Sequence, residues 1–477
     1  MDLKRMVKNW NYYYFWGAPI HSTGVSLDKS SIQLTTVWQT EQLTATVTPN
    51  GSIDTRVTWS SSDTSIATVS ATWLVTCVKP WDCIITVTTV EWWYTASCNI
   101  IPWPKTYTIV WNETSDPSEF FVRYEDDAAE LTQWSTAFDK FFWYSAVRLD
   151  GNWQETAVVE QSSPWVLDIT QLWTLTSGNN IMIKFPVRWI KMSKSWTQVT
   201  LSITEETGRE LEWYQYYAFQ KTWDINANAS TTVATQPLYL WAYISYAADY
   251  NYSTPLRSLS WKTLTWYWVY RSLSQAWRYW TWWTLMWWYQ RQLINAYYML
   301  KYGNPDAQSV VGRWYVTSGR TTTWWTDNQT SATYWTSSTS QQVKLFWLED
   351  WWGNMVQMIW WMFTDSSKNM YVALHDFTSN KSTSETQYKN AWTINSTSGS
   401  YYLSSILWTN KWMFWPVDST GTWTTYYTDF TNVRASYFAS SWWYAGFDEW
   451  SWPFYLNFEF DDWNTDYTNI GNRLMYL

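Results

Sequence analysis

Short runs of alternating polar and apolar residues mark the first structured part of this chain. Between residues 23 and 101 they are Ser31-Ile-Gln-Leu-Thr-Thr-Val37, Gln42-Leu-Thr-Ala-Thr-Val47, Arg56-Val-Thr-Trp59, Ile66-Ala-Thr-Val69 and Ile84-Ile-Thr-Val-Thr-Thr-Val90. A period of two places alternate side chains on one face of a strand. Strands of this length, with turn residues between them, predict a β-sandwich with Trp59 in its core. Residues 1–22 read as a lead-in or attachment segment, and Pro102-Trp-Pro104 stops the sandwich. The pattern weakens over 102–175. There Glu119-Phe-Phe-Val-Arg-Tyr124 and Trp165-Val-Leu-Asp-Ile-Thr170 predict strands and Asp126-Asp-Ala-Ala-Glu-Leu131 a short helix, giving a linker and small α+β connector.

From residue 176 the character changes. Asn180-Ile-Met-Ile-Lys-Phe-Pro-Val-Arg188 and Gln198-Val-Thr-Leu-Ser-Ile-Thr204 predict a hairpin, and Pro237-Leu-Tyr-Leu-Trp-Ala-Tyr-Ile-Ser245 a further strand. Tyr289-Gln-Arg-Gln-Leu-Ile-Asn-Ala-Tyr-Tyr-Met-Leu-Lys-Tyr302 carries apolar residues at helical spacing and stops at Gly303-Asn-Pro305, as a helix does. Thr- and Ser-rich stretches follow, up to about residue 345; long loops of this kind are functional or mark a fold with little regular structure.

Composition changes the picture at one point. The chain has 48 Trp and 14 Gly in 477 residues, whereas Gly ordinarily makes up about 7% of a protein. Trp73, Trp81, Trp92 and Trp93 fall at turns between β-branched runs, where positive φ is wanted and only Gly adopts it cheaply. The pairs Trp92-Trp93, Trp282-Trp283, Trp287-Trp288, Trp324-Trp325, Trp360-Trp361 and Trp442-Trp443 recur where the flanks read as hairpin or loop. The expectation is that UGA encodes glycine in this lineage and is written here as Trp, with Trp59 and Trp352 as true tryptophans. The competing reading is a Trp-rich carbohydrate binder.

A net charge of −9 with both signs scattered argues against a nucleic-acid partner, which needs a basic stripe. No apolar run reaches the length of a membrane-spanning helix, so no membrane insertion is expected. Met1-Asp-Leu-Lys-Arg-Met-Val-Lys-Asn9 has basic residues without an apolar stretch after them and does not read as a secretory signal. The three cysteines, Cys77, Cys83 and Cys98, lie in the sandwich stretch. Cys83 and Cys98 flank a turn at 91–94 and either face each other or are small buried thiols.

Two resemblances follow. Leu43-Thr-Ala-Thr-Val-Thr-Pro49, Val57-Thr-Trp-Ser-Ser-Ser62, Ile66-Ala-Thr-Val69 and Val78-Lys-Pro-Trp81 resemble the group 2 bacterial Ig-like domain over 23–101, about a sixth of the chain. That resemblance implies a structural spacer on a surface or virion protein, with no catalytic residues. Residues 346–363, Phe-Trp-Leu-Glu-Asp-Trp-Trp-Gly-Asn-Met-Val-Gln-Met-Ile-Trp-Trp-Met-Phe, are similar to the formylglycine-generating-enzyme-like branch of the C-type lectin fold, with Gly at Trp347, Trp360 and Trp361. The ending, Trp452-Pro-Phe-Tyr-Leu-Asn457 and Asn469-Ile-Gly-Asn-Arg-Leu-Met-Tyr-Leu477, resembles the last segment of variable proteins targeted by diversity-generating retroelements and of phage proteins sharing that domain. The implied fold class is mainly β with α+β, the C-type-lectin-like domain spanning 176–477 with a variable region at 440–470.

That second family's chemistry does not carry over. Its formylglycine-generating members need cysteines in this domain and related iron enzymes cluster histidines, whereas 176–477 has no Cys and only His375. His375-Asp376 as an acid–base pair, and Asp126-Asp127 or Asp461-Asp462 as calcium ligands, are more simply surface residues. Asn304-Pro-Asp306 reads as a turn rather than a sugar motif, and Gly312-Arg-Trp314 lacks the Lys-Ser/Thr of a phosphate loop. No enzyme, metal or cofactor is expected. Tyr444-Ala-Gly-Phe-Asp-Glu-Trp450 and Phe458-Glu-Phe-Asp-Asp-Trp-Asn-Thr-Asp-Tyr467 mix aromatic and acidic residues without an amphipathic period. Phe, Tyr and Asp are reached from Asn-type codons by changing adenines, and Tyr and Asp on a rigid scaffold suit ligand binding. The expected ligand-binding residues are Tyr444, Phe447, Asp448, Phe460, Asp461, Asp462, Asp466 and Tyr467, clustered on one exposed surface. The function these imply is reception or adhesion on a phage tail or cell surface, toward a protein or glycan receptor, with a homotrimer as one compatible assembly. The alternative is a structural tail or surface component without a diversified site.

Overall fold

Alternation between residues 23 and 101 resolves into nine strands. In chain order they are β1 (Gly24–Leu27), β2 (Ser31–Leu34), β3 (Thr40–Gln42), β4 (Ala45–Thr48), β5 (Val57–Ser61), β6 (Ala67–Val69), β7 (Leu74–Cys77), β8 (Cys83–Thr89) and β9 (Thr95–Pro102). This computed structural model divides into two units, 1–105 and 106–477. It describes residues 19–34, 38–78 and 82–102 of the first and, in the second, the elements named below with their immediate flanks. A four-stranded sheet, β2-β9-β8-β5, and a three-stranded sheet, β3-β7-β6, accompany the β1-β4 pair. β2 and β9 run parallel, Ser31 opposite Asn99. Leu34, Leu43, Val75, Ile85, Cys98 and Ile100 form the core; on β8 buried side chains recur at every second residue, as a sheet with one packed face requires.

One expectation is corrected here, and the two readings of the cysteines are decided for the buried thiols. Trp59 is only half-buried against the core, because β5 is the last strand of its sheet and has a strand neighbour on one side. Cys83 lies opposite Ile100 and Cys98 opposite Ile85, so the two thiols are not cross-strand partners. All three cysteines are free and buried, and burial raises the Cys77 and Cys98 thiols above their ordinary pKa.

The second unit begins with β10 (Thr106–Asn112), β11 (Val122–Asp126), β12 (Ser145–Leu149), β13 (Glu155–Val158), β14 (Gln161–Ser163) and β15 (Val166–Leu167). It continues through β16 (Asn180–Phe185), β17 (Trp189–Ser195), β18 (Gln198–Thr204), β19 (Leu238–Trp241), β20 (Trp283–Leu285) and helix α1 (Trp288–Tyr302). Short strands follow: β21 (Tyr315–Val316), β22 (Ser340–Gln341), β23 (Lys344–Leu345) and β24 (Leu348–Glu349). Then come β25 (Gln357–Thr364), β26 (Asn369–Ala373), β27 (Tyr388–Thr393), β28 (Gly399–Tyr402), β29 (Ser405–Thr409) and β30 (Met413–Asp418). The last are β31 (Phe430–Val433), β32 (Phe438–Ser441), β33 (Leu456–Phe460) and β34 (Leu474–Tyr476). They build sheets of order β11-β10-β18-β17, β13-β12-β16-β19-β34-β20 and β27-β26-β25-β32-β33-β31-β28. The described residues are thus mainly β with one α-helix.

The hairpin expected between 180–188 and 198–204 is instead β17 with β18, Ser195 opposite Gln198. β16 enters the neighbouring sheet between β12 and β19. Strands on both sides of the expected 175/176 boundary share sheets, since β10 pairs β18 and β12 pairs β16. The short helix after Asp126 is one 3-10 turn, Asp127–Glu130.

Helix α1 forms where the spacing predicts it. It ends at Gly303, which takes the left-handed conformation (φ 61°) and donates its N–H to the carbonyl of Met299, a glycine C-cap. Every residue of α1 is buried, including Gln290, Arg291, Gln292, Asn295 and Lys301. Tyr297 sits between Phe185 and Phe346, ring centroids 6.2 and 6.3 Å away, and burial pushes its phenol above the ordinary range.

Candidate binding segments and a buried charged core

β32 and β33 run antiparallel, Phe438 opposite Phe460 and Ser440 opposite Asn457. Seven of the eight expected ligand-binding residues, Tyr444, Phe447, Asp448, Asp461, Asp462, Asp466 and Tyr467, lie outside the described residues; Phe460 is the last residue of β33. The register fixes where their segments attach. Residues 442–455 leave the end of β32 and return at the start of β33, whereas 461 onward leaves the other end of β33. A strand rises about 3.3 Å per residue, so the two attachment points stand about 13 Å apart along β33. β33 is inside its sheet, between β32 and β31, and runs parallel to β31. Both segments therefore attach to a strand that is paired along both edges.

The second unit also holds a buried charged core. Arg473 is 2% exposed. Its Nη2 donates to the carbonyl of Glu349 at 2.6 Å, and its Nη1 to the carbonyl of Trp241. The ring of Trp351 has the Arg291 guanidinium 5.3 Å from its centroid and that of Arg473 at 5.8 Å, a double cation–π arrangement strengthened by exclusion of water. Glu349 and Asp350 are themselves buried. Burial pushes Arg473 down to about 10, against the opposing pull of Asp350 and Glu349. The backbone is tied too: Glu349 N donates to Ala242 O at 2.9 Å, Asp350 N to Val343 O at 2.7 Å and Met286 N to Arg473 O at 3.3 Å. The segment at 346–363 and the closing strand, singled out separately in the sequence, are thus parts of one core. Arg291 and Arg473 were not anticipated; the signal was a charged residue inside each apolar stretch.

Other candidates have structural duties. Asp126 accepts from the Thr108 hydroxyl at 2.5 Å and Asp127 from the Thr106 N–H at 2.7 Å, so both carboxylates fasten β10. Asn304 O accepts from the Tyr298 hydroxyl at 2.8 Å at the end of α1. In the first unit Glu91 collects His21 Nδ1–H at 2.5 Å, Ser22 N–H at 2.9 Å and the Ser22 hydroxyl at 3.1 Å, pinning the entering chain to the β8–β9 turn. His375, Asp376 and Gly312 lie outside the described residues. Among those described, no three His, Cys, Asp or Glu side chains gather as metal ligands would, and no helix is long and apolar enough to cross a membrane.

Comparison with known proteins places the first unit. Residues 23–91 match the family description "Bacterial Ig-like domain (group 2)". An uncharacterized protein of Clostridium acetobutylicum is 46% identical over 68 residues, 14% of this chain and 17% of that protein. Among solved structures, intimin in the crystal structure of the intimin–Tir90 complex is 20% identical with a TM-score of 0.14, over 25% of this chain and 65% of that one. The chain therefore spans under a fifth of the curated relative it matches.

Proposed function

We propose that this chain is a non-enzymatic receptor-binding or adhesion protein of a cell surface or a phage tail. The Ig-like unit acts as a spacer. The second unit is a scaffold of the C-type-lectin kind that presents Tyr444, Phe447, Asp448, Phe460, Asp461, Asp462, Asp466 and Tyr467 to a protein or glycan receptor. The observation that carries the reading is the attachment of both candidate segments to β33, a strand paired on either edge. A surface open to many side chains cannot also be core, because packed interiors resist changes of volume. The contact of Arg473 with Glu349 supports the lectin-like reading, since it joins the two segments on which that resemblance rests. A non-catalytic role accords with a second unit that has no cysteine and one histidine.

The test is binding of the full chain to glycan arrays and to intact bacterial cells, beside a variant with alanine at the eight positions. Saturable binding by the parent that is lost in the variant supports the proposal. Equal behaviour of the two proteins overturns it and leaves the structural-component reading. At the gene level, a second copy of the 440–470 coding stretch that differs only at adenines, beside a reverse-transcriptase gene, would identify the surface as diversified.

A further inference from the structure

Among the described residues ten that are not glycine hold the backbone at positive φ, and six of the ten are tryptophan: Trp38 (69°), Trp73 (70°), Trp92 (65°), Trp93 (52°), Trp196 (56°) and Trp347 (66°). A residue type that makes up 48 of 477 positions has no physical reason to dominate this region. Left-handed backbone crowds any Cβ against its own carbonyl, and tryptophan, unlike Asn or Asp, has no short polar side chain to offset the strain locally. Glycine is the residue that takes it freely; Gly51 and Gly303 do so here at 92° and 61°.

Five of the six, all but Trp38, stand at turns between paired strands, where positive φ favours glycine. Trp196 and Thr197 alone connect β17 to β18, with Ser195 opposite Gln198. Only the first of the two has positive φ, which matches the two-residue hairpin that takes Gly first. Phe346 and Trp347 connect β23 to β24, Leu345 opposite Leu348, with both φ values positive, 50° and 66°. That is the turn in which Asn-Gly is preferred. Trp92 and Trp93 form the tip between β8 and β9, and Trp73 precedes β7. Four of the six leave their rings in water: Trp38 is 75% exposed, Trp92 62%, Trp93 78% and Trp196 94%. The ladder between β25 and β32 also loses register between Met358 and Phe363, across Trp360-Trp361, where a glycine-type bulge belongs.

We infer that Trp38, Trp73, Trp92, Trp93, Trp196 and Trp347 are glycine in the native protein, encoded by UGA. A glycine specified by its usual codons is written as glycine and accounts for the 14 present; only a codon that one code reads as Trp and another as Gly writes tryptophan at a glycine site. Trp59 stands inside β5 and Trp352 is 1% exposed without positive φ; both remain tryptophan. One consequence reaches function: the exposed rings at 38, 92, 93 and 196 are not an aromatic platform for sugars. The inference is independent of the binding face proposed above.

The test is peptide mass analysis of the protein purified from the organism that carries the gene. The tryptic peptide 57–105 contains Trp59 together with positions 73, 92 and 93, and peptide 195–209 contains position 196. The expected result is tryptophan at 59 and glycine at 73, 92, 93 and 196, with UGG at the first codon and UGA at the other four. Tryptophan at those four positions overturns the inference and restores the aromatic-rich reading.

Discussion

Arg473 and Glu349 are joined by a hydrogen bond from a guanidinium Nη2 to a backbone carbonyl, 2.6 Å long and bridging 124 positions of the chain. The bond ties the residue before β34 to the last residue of β24. It places a fixed cation in a region that already contains the buried carboxyl groups of Glu349 and Asp350. At about 10, the folded-state value leaves Arg473 charged at neutral pH, so its removal unbalances the core rather than relieving it.

Replacing Arg473 with Met takes the donor from the Glu349 and Trp241 carbonyls and the cation from beside two buried carboxylates. Breaking one side of a buried charged network costs about 3–5 kcal/mol. The expected outcome is a loss of that size in the second unit's urea transition, with the Ig-like unit's transition unchanged as an internal reference. Arg473→Lys keeps the charge but cannot make the same two-pronged contact, and should fall between Met and the parent.

Substituting glycine at two tryptophans should act in opposite directions. Trp196 is 94% exposed with φ 56°, so Trp196→Gly loses almost no packing and relieves a left-handed strain of about 1–3 kcal/mol. Trp352 is 1% exposed, and Trp352→Gly opens a cavity worth about 3–5 kcal/mol. Urea midpoints of recombinant protein made as written should rise for the first and fall for the second. Two changes of the same sign would contradict this account of the two sites.

The cluster at Glu91 predicts a pH response in the first unit. The Ser22 N–H and then His21 hold the Glu91 carboxyl below its ordinary value, near 4.3 for glutamate at about the reference state. A folded-state value below the unfolded one stabilises the folded form above the ordinary carboxylate value and is lost as pH falls through the lower folded value. Residues 21–22 should therefore detach from the β8–β9 turn in acid. Ser22 amide shifts in an NMR titration should follow the Glu91 carboxyl, and Glu91→Gln should abolish the acid step.

How much of this was legible in the sequence depended on whether the deciding contacts were local. The sandwich strands could be read because alternation of β-branched and polar residues survives at each position, and α1 because its spacing ends at Gly303. The hairpin was misread because β16 and β18 both alternate, while the true partner of β18, β17, carries Lys191 and Lys194 and looks less like a strand. Trp59 was placed too deep because being on an edge strand depends on sheet order, which residue pattern does not encode. The contact of Arg473 with Glu349 was illegible for the same reason: each lies in a recognisable segment, but nothing local says that the segments touch. The turn tryptophans stood out before the fold was known because turn chemistry is local.

The proposed binding face yields the most consequential prediction. The register of β32 and β33 attaches Tyr444, Phe447 and Asp448 to one end of β33 and Asp461, Asp462, Asp466 and Tyr467 beyond the other, about 13 Å apart along a strand that rises about 3.3 Å per residue. A single ligand surface therefore requires one of the two segments to reach back along the sheet toward the other. If it does, one receptor touches both groups. Alanine at 444, 447 and 448 and alanine at 461, 462, 466 and 467 should then each weaken binding by at least about 2 kcal/mol, the scale of interface hot spots. The combined variant should depart from the sum of the two, because contacts to one ligand couple. Titration of the parent, the two group variants and their combination against the same receptor measures this directly. Loss confined to one group would shrink the face to one end of β33, and no loss in either would remove it.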